Sequence, residues 1–189
     1  MRPIVSFRAF SSPMPGSSKS VSGPDNRPGS WFPFGANLHA MVLVIRRSNI
    51  HADGVYTTRS IKKGTIVAEY TGPRLTNAEA DAIYEHSPRT YLFGMTDGEH
   101  VIDGDGIAAF INHSCNPNCE ADEIKGRVVI RAIRNIAAGE ELAYDYNLYD
   151  GDVDDPALCF CGTNKCRGSM YSQKELRRRG VTKSSRLKA

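Results

Sequence analysis

The sequence predicts a mostly β domain built from several small sheets, with few and short helices. Three observations carry this. Seven short β-branched or aromatic runs follow one another between residues 41 and 146. Turn signals separate them. One stretch alone carries clear helix signals.

Taken in order, residues 1–40 are rich in Ser, Pro and Gly ("SSPMPGSSKSVSGPDNRPGS") and have no apolar periodicity. Such a composition does not offset the entropy of ordering, so a disordered N-terminal arm is expected. Its first 24 residues hold no acid and many serines. That faintly resembles a transit peptide, and the readings preferred are a mis-called start codon or a plain flexible arm. Strands are then expected at "MVLVIR" (41–46), "GVYTT" (54–58), "TIVAEY" (65–70), "YLFGM" (91–95), "HVID" (100–103), "RVVIRAI" (127–133) and "ELAYDY" (141–146). Turns are marked by "KKG" (62–64), Asp97-Gly98, Lys125-Gly126 and "AAGE" (137–140). Thr76 and Glu79 form a capping box ahead of "AEADAIYEH", and Ser87-Pro88 ends that helix. The tail "KELRRRGVTKSSRLKA" is short and basic and should fray beyond about residue 175.

The net charge of +3 conceals an asymmetry. Residues 40–155 hold 11 basic and 19 acidic side chains, a net of −8; residues 156–189 hold nine basic and one acidic, a net of +8. An acidic body favours cationic partners, and the basic tail suits weak contact with nucleic acid. No apolar run approaches the roughly 20 residues of a membrane helix, so no membrane association is expected.

Five cysteines, an odd number, fit a disulfide framework poorly and a reduced compartment with a metal site better. Cys159-x-Cys161-x4-Cys166 offers three soft ligands on one Gly-containing loop. Structural zinc wants four tetrahedral ligands, commonly thiolates. The fourth must be Cys115 or Cys119, both in "FINHSCNPNCEAD" (110–122). Four cysteines would leave no open position for water, which excludes a zinc hydrolase. The tail lacks an aromatic-basic stripe, which weakens a nucleic-acid-binding reading.

Three motifs, "FINHSCNPNC", "GEELAYDYN" and "CFCGTNKCRG", in that order, resemble those of SET-domain protein lysine methyltransferases with a post-SET zinc motif. "SNIHADGVYTTRSIKKGTIVAEYTG" (48–72) is similar to the family's first motif. No cysteine cluster precedes the domain, and this compact form is most similar to bacterial SET proteins. The resemblance implies a SET domain at 41–150, a zinc-binding post-SET segment at 151–170 and a basic tail at 171–189. It implies several small antiparallel sheets around a pseudoknot-like core, where "INHSC" and "ELAYDY" meet.

The resemblance also implies the chemistry, methyl transfer from S-adenosyl-L-methionine to a lysine amine. The lysine must react neutral, although its free pKa is near 10.4. A dry, narrow, aromatic channel favours the uncharged amine. By resemblance, Tyr146 is the catalytic tyrosine, Tyr144 limits the number of methyl groups added, and Tyr91 lines the channel. Cofactor contacts are implied at Ala52, Asp53, Gly54, Asn112, His113, Tyr146 and Phe160. Cys115, Cys159, Cys161 and Cys166 would hold zinc, with Cys119 spare. The chain departs from the family at Ala52, where a Gly-x-Gly loop is usual, and at Ala109, where an arginine is usual. Those departures motivate an alternative, a catalytically weak SET fold acting as a binding module. The expected substrate is a basic protein, a histone or another DNA-associated or ribosomal protein, with a mono- or dimethyl product. A monomer is expected, cytoplasmic if bacterial, nuclear if eukaryotic or a secreted effector.

Overall fold

The computed structural model describes residues 43–85, 91–149, 151 and 154–181. The expected N-terminal arm lies outside them, as does the Ser87-Pro88 helix stop.

The chain opens with an antiparallel pair, β1 (Leu43–Arg47) and β2 (Asp53–Thr57), in the register Leu43↔Thr57 to Arg47↔Asp53. β3 (Ile66–Tyr70) follows, then β4 (Arg74–Thr76) and α1 (Asn77–Tyr84). The capping box forms as the sequence predicts: Glu79 N–H donates to Thr76 Oγ1 at 3.2 Å, and Thr76 N–H donates to Glu79 Oε2 at 2.8 Å. Such a cap contributes about 1 kcal/mol, which matters for a helix this short. β5 (Leu92–Gly94) and β6 (His100–Asp103) complete a three-stranded sheet ordered β4-β6-β5. A 3-10 turn (Ile107–Phe110) leads into β7 (Asn112–His113), β8 (Cys119–Ile124), β9 (Arg127–Ala132) and β10 (Ala143–Tyr144). These last four join β3 in a sheet ordered β3-β9-β8-β10-β7.

The seven predicted runs all contain strands, with shifted ends. "ELAYDY" contributes only Ala143–Tyr144 to a strand. Asp145 ends it by turning its carboxylate back to the Asn147 amide at 3.1 Å, with Asn147 at φ +50°. β8 was not predicted, because "CEADEI" holds one β-branched residue in six. It forms because β9 is a strong strand and the Lys125-Gly126 turn has both φ values positive, the twist a hairpin needs.

The predicted fraying beyond about residue 175 is corrected by α2 (Gln173–Arg178). Glu175 N–H donates to Ser172 Oγ at 3.1 Å, and Leu176 is 2% exposed in the core. Buried Glu175 accepts from both Arg178 and Arg179. Arg179 also donates to Asp155 O and Gly151 O, so one of the tail's basic side chains is engaged by the body of the protein.

The core lies between the sheets. Val55, Ile111, Val128, Ile130, Leu142 and Leu148 have no exposed surface and form one cluster that also contains Tyr70, Phe93, Tyr144 and Tyr146. No described helix is long and apolar enough to cross a membrane.

Candidate active site

The two segments expected to meet do so by strand pairing. β10 lies between β7 and β8 and runs parallel to β7, with Ala143 opposite Asn112 and Tyr144 opposite His113. Ser114 N–H extends the ladder to Tyr144 O at 3.1 Å. Chain segments whose paired residues, Ala143 with Asn112 and Tyr144 with His113, are far apart in sequence are therefore locked in one register, and each side chain they carry is placed on a packed core.

Tyr144 and Tyr146 sit with ring centroids 4.9 Å apart. The aromatic series continues through Phe93, 6.5 Å from Tyr144, to Tyr70, 5.1 Å from Phe93. Tyr146 donates its hydroxyl proton to Ile111 O at 2.9 Å. Among the described residues the Tyr144 hydroxyl has no hydrogen-bond partner. Burial pushes both phenols above their ordinary range, so both are neutral near pH 7. A cleft opens beside them, walled by Phe93, Cys119, Ala121, Tyr144 and Tyr146 and rimmed by Glu120, Asp122 and Asp145. Tyr91 does not line this cleft but lies near enough to Tyr146 to act on it electrostatically. Its ring packs on Phe110 at 5.6 Å, and its carbonyl accepts the Tyr70 hydroxyl at 2.6 Å.

On the other side of β7 lies the β1–β2 loop. Asn112 Nδ2 donates to His51 O, Asp53 O and Glu141 Oε1 at 3.1, 3.1 and 2.9 Å. Asn112 Oδ1 has no partner among the described residues. Glu141 also accepts from the hydroxyls of Ser48, at 2.8 Å, and Tyr56, at 2.9 Å. A Cβ on Gly54 would stand 2.1 Å from Glu141 Oε1, so only glycine fits there. Ala52 holds φ +42°, a left-handed conformation that glycine adopts without strain.

His113 is turned inward. Its Nδ1 accepts the Tyr146 backbone N–H at 3.1 Å, which places the ring proton on Nε2, 3.4 Å from Cys115 Sγ. Both ring nitrogens are engaged within the protein.

The four predicted cysteines converge. The sulfurs of Cys115, Cys159, Cys161 and Cys166 all lie within 4.8 Å of one another, and none is in a disulfide. Tetrahedral zinc at about 2.3 Å from each sulfur requires sulfurs about 3.8 Å apart. Cys115 and Cys166 each stand 3.7 Å from Cys159. Backbone N–H groups of Arg167, Cys161 and Gly168 point at Cys115, Cys159 and Cys166 from 3.2, 3.4 and 3.4 Å, as donors to thiolates do. The donor set fits a soft divalent metal. The hydrogen bond from Cys159 drives the Cys115 thiol down, helped by His113 and the Arg167 amide. Cys119 lies outside the cluster, fully buried, and burial pushes its thiol up to about 12. Phe160, between two of the cysteines, is 62% exposed.

With this geometry in place, comparison with known proteins is decisive. The family described as SET domain matches residues 53–147, half of the chain. The chain belongs to the SET-domain family. It is 40% identical over 145 residues to a histone-lysine N-methyltransferase, H3 lysine-4 specific, of Saccharomyces cerevisiae, covering 70% of this chain and 13% of that protein. A protein of the same name from Aspergillus fumigatus is 40% identical over 135 residues, 65% of this chain and 11% of its own length. Histone-lysine N-methyltransferase 2D of Homo sapiens is 37% identical over 135 residues, 66% of this chain and 2% of its own length. The SET chain thus spans at most about an eighth of these relatives. They are fungal and human proteins and give no support to the expected likeness to compact bacterial ones.

Several residues of the site escaped sequence reasoning. Tyr70, Glu141, Asp145 and Arg167 were not singled out for a role there. Tyr70 sits in an ordinary-looking strand, and Glu141 follows another glutamate in "GEEL". The side of Asp145 facing Arg167 is a matter of tertiary placement alone.

Proposed function

We propose that this SET domain methylates lysine side chains of a basic protein, with S-adenosyl-L-methionine as the methyl source and one structural zinc. The observation that carries the reading is the parallel β7–β10 pair. It puts Asn112 and Tyr144–Tyr146 on either side of one short ladder, next to an aromatic cleft.

The cofactor's fit rests on the donor set. Asn112 Oδ1, on a largely buried residue and without a protein partner among the described residues, is an acceptor for an ammonium group. The exposed Phe160 ring offers a face for an adenine. With both His113 ring nitrogens taken, that residue's contact with the cofactor falls to its backbone. S-adenosyl-L-methionine supplies, when bound, a methyl group on a sulfonium whose departure leaves a neutral thioether.

The chain's own residues do the rest. Phe93, Tyr144 and Tyr146 exclude water from the amine, so the neutral form is favoured. Neither tyrosine is a base, because both stay protonated; the lysine delivers its proton to water before it enters. The Tyr146 oxygen, fixed by donation to Ile111, offers its lone pairs to an amine N–H and aims the nitrogen's own pair along the transfer line. Glu120 and Asp122 at the rim attract a cationic segment. A histone tail meets that requirement, and the relatives' names point to histones; a ribosomal protein meets it too. Zinc held by Cys115, Cys159, Cys161 and Cys166 would fasten the C-terminal segment to β7.

The test is radiolabelled methyl transfer onto histones and basic cellular proteins, with the modified residue mapped by mass spectrometry. Label on lysine, lost in Tyr146→Phe, is the expected result. Cofactor binding by calorimetry without any transfer would favour the binding-module reading.

A further inference from the structure

The segment carrying the two tyrosines is fastened from below by an ion pair. Arg167 follows Cys166 directly in the chain and is 8% exposed. Its two terminal nitrogens each donate to one oxygen of Asp145, both at 2.7 Å, a fork-to-fork geometry. Asp145 stands between Tyr144 and Tyr146. The same carboxylate accepts the Asn147 amide and so shapes the turn that follows Tyr146. At its other end, the Arg167 backbone N–H donates to Cys115 Sγ at 3.2 Å. One residue thus touches the four-cysteine cluster through its backbone and the tyrosine segment through its side chain.

Stability alone does not account for this arrangement. A buried guanidinium is expensive to desolvate, and buried ion pairs are often matched by apolar residues of the same volume. Here the Nε atom is buried with no hydrogen-bond partner, so desolvation is incompletely offset. What a planar two-point clamp supplies, and an apolar pair does not, is a fixed position and angle for its partner. The partner lies at the one place where a rotation would move both tyrosine rings.

We propose that Arg167 is a positioning residue: through Asp145 it sets Tyr144 and Tyr146 against the cleft, and it ties their placement to the metal-bound state of the cysteine loop. The proposal rests on the methyltransferase reading for its kinetic consequence, but not for its structural one.

The experiment therefore has two arms. In the spectroscopic arm the unmutated protein, with zinc bound, is treated with a chelator, and the near-ultraviolet circular dichroism of its tyrosines is followed with no substrate present. Loss of zinc should change the tyrosine signal, and the change should be much smaller in Asp145→Asn, where the clamp is already broken. A tyrosine signal indifferent to zinc in the unmutated protein overturns the proposal by itself. In the kinetic arm, Arg167→Lys, Arg167→Met and Asp145→Asn are compared at a temperature well below their melting points, with zinc content measured in each. The expected result is one zinc per chain, a kcat at least tenfold lower and a cofactor KM changed less than threefold. Arg167→Lys should not rescue, because a point charge does not reproduce the fork. The double variant Arg167→Met/Asp145→Asn should be no slower than the worse single one. Full kcat in a folded, zinc-loaded Arg167→Lys or Asp145→Asn overturns the proposal. If the unmutated protein transfers no methyl group, the functional reading fails, and the spectroscopic arm still decides the clamp.

Discussion

The Tyr146 backbone N–H donates to His113 Nδ1 at 3.1 Å, and the opposite ring nitrogen of His113 faces Cys115 Sγ at 3.4 Å. One imidazole therefore spans the distance between the tyrosine segment and the cysteine cluster. Substituting His113 by Phe keeps a planar ring and removes both contacts. A buried amide left without its acceptor costs about 1–3 kcal/mol. The expected outcome is a melting temperature lower by several degrees and zinc lost at lower chelator concentration than in the unmodified chain. An unchanged chelator midpoint would show that the imidazole does not support the cluster.

The cysteine assignment makes a sharper comparison. Cys115→Ser removes one of four converging sulfurs, whereas Cys119→Ser changes a thiol that no cluster member approaches. Measured zinc should fall well below one per chain in the first and hold at one per chain in the second. Cys119→Ser still destabilises, on the order of 1 kcal/mol, because it buries a hydroxyl at a site with no exposed surface. Zinc retained by Cys115→Ser and lost from Cys119→Ser would reverse the assignment.

The β1–β2 loop carries opposite predictions two residues apart. Ala52 at φ +42° is strained by about 1–2 kcal/mol, while a glycine there adds about 0.4–1 kcal/mol of unfolded-state entropy. Ala52→Gly should leave stability level or slightly raised and bind cofactor at least as tightly. Gly54→Ala pushes a Cβ against a Glu141 carboxylate pinned by Ser48, Tyr56 and Asn112. It should weaken cofactor binding by tenfold or more, about 1.4 kcal/mol. Calorimetric titration of both variants reads the contrast directly, and equal affinities would remove the loop from the cofactor site.

Much of this architecture was legible in the sequence, and the illegible parts share a cause. The predicted runs, the α1 capping box and the four converging cysteines follow from local pattern or from motif spacing. β8 and α2 were hidden because their residues are polar and gain their stability from partners far along the chain. β9 supplies the register for "CEADEI", while core burial of Leu176 and pairing of Glu175 hold α2. Tyr91 was expected at the channel on motif grounds, and Phe93 was not singled out; in the structure Phe93 lines the cleft, while Tyr91 packs on Phe110 and lies close enough to Tyr146 to act on it electrostatically. Phe93 lies within β5 and Tyr91 just before it, so the local pattern alone does not show which aromatic reaches the cleft.

Tyr146→Phe isolates a single hydroxyl. The ring and its packing on Tyr144 remain, and the Ile111 carbonyl loses its donor. Stability should fall by about 1 kcal/mol. Turnover should fall on the order of 10²-fold, the usual effect of deleting one positioned hydrogen-bonding group at a reacting centre. Single-turnover methyl transfer at saturating cofactor checks it. A folded variant with full turnover would remove Tyr146 from the chemistry.

Tyr144 bears on how many methyl groups a lysine receives. After one transfer the amine must rotate, make room for its methyl and lose another proton. The Tyr144 hydroxyl has no protein partner among the described residues, and its ring forms part of the cleft wall. A hydroxyl so placed holds the amine, or a water beside it, and that hydrogen bond opposes rotation. Phenylalanine at this position removes the bond and leaves slightly more apolar space. A difference of about 1.4 kcal/mol changes the rate of the second transfer tenfold. The unmodified chain should therefore stop at one or two methyl groups. Tyr144→Phe should go further on the same peptide, with little change in the first transfer. Mass spectra of extended reactions show the distribution of products directly. Efficient trimethylation by the unmodified chain would disprove the role of this hydroxyl and leave lysine methylation itself untouched.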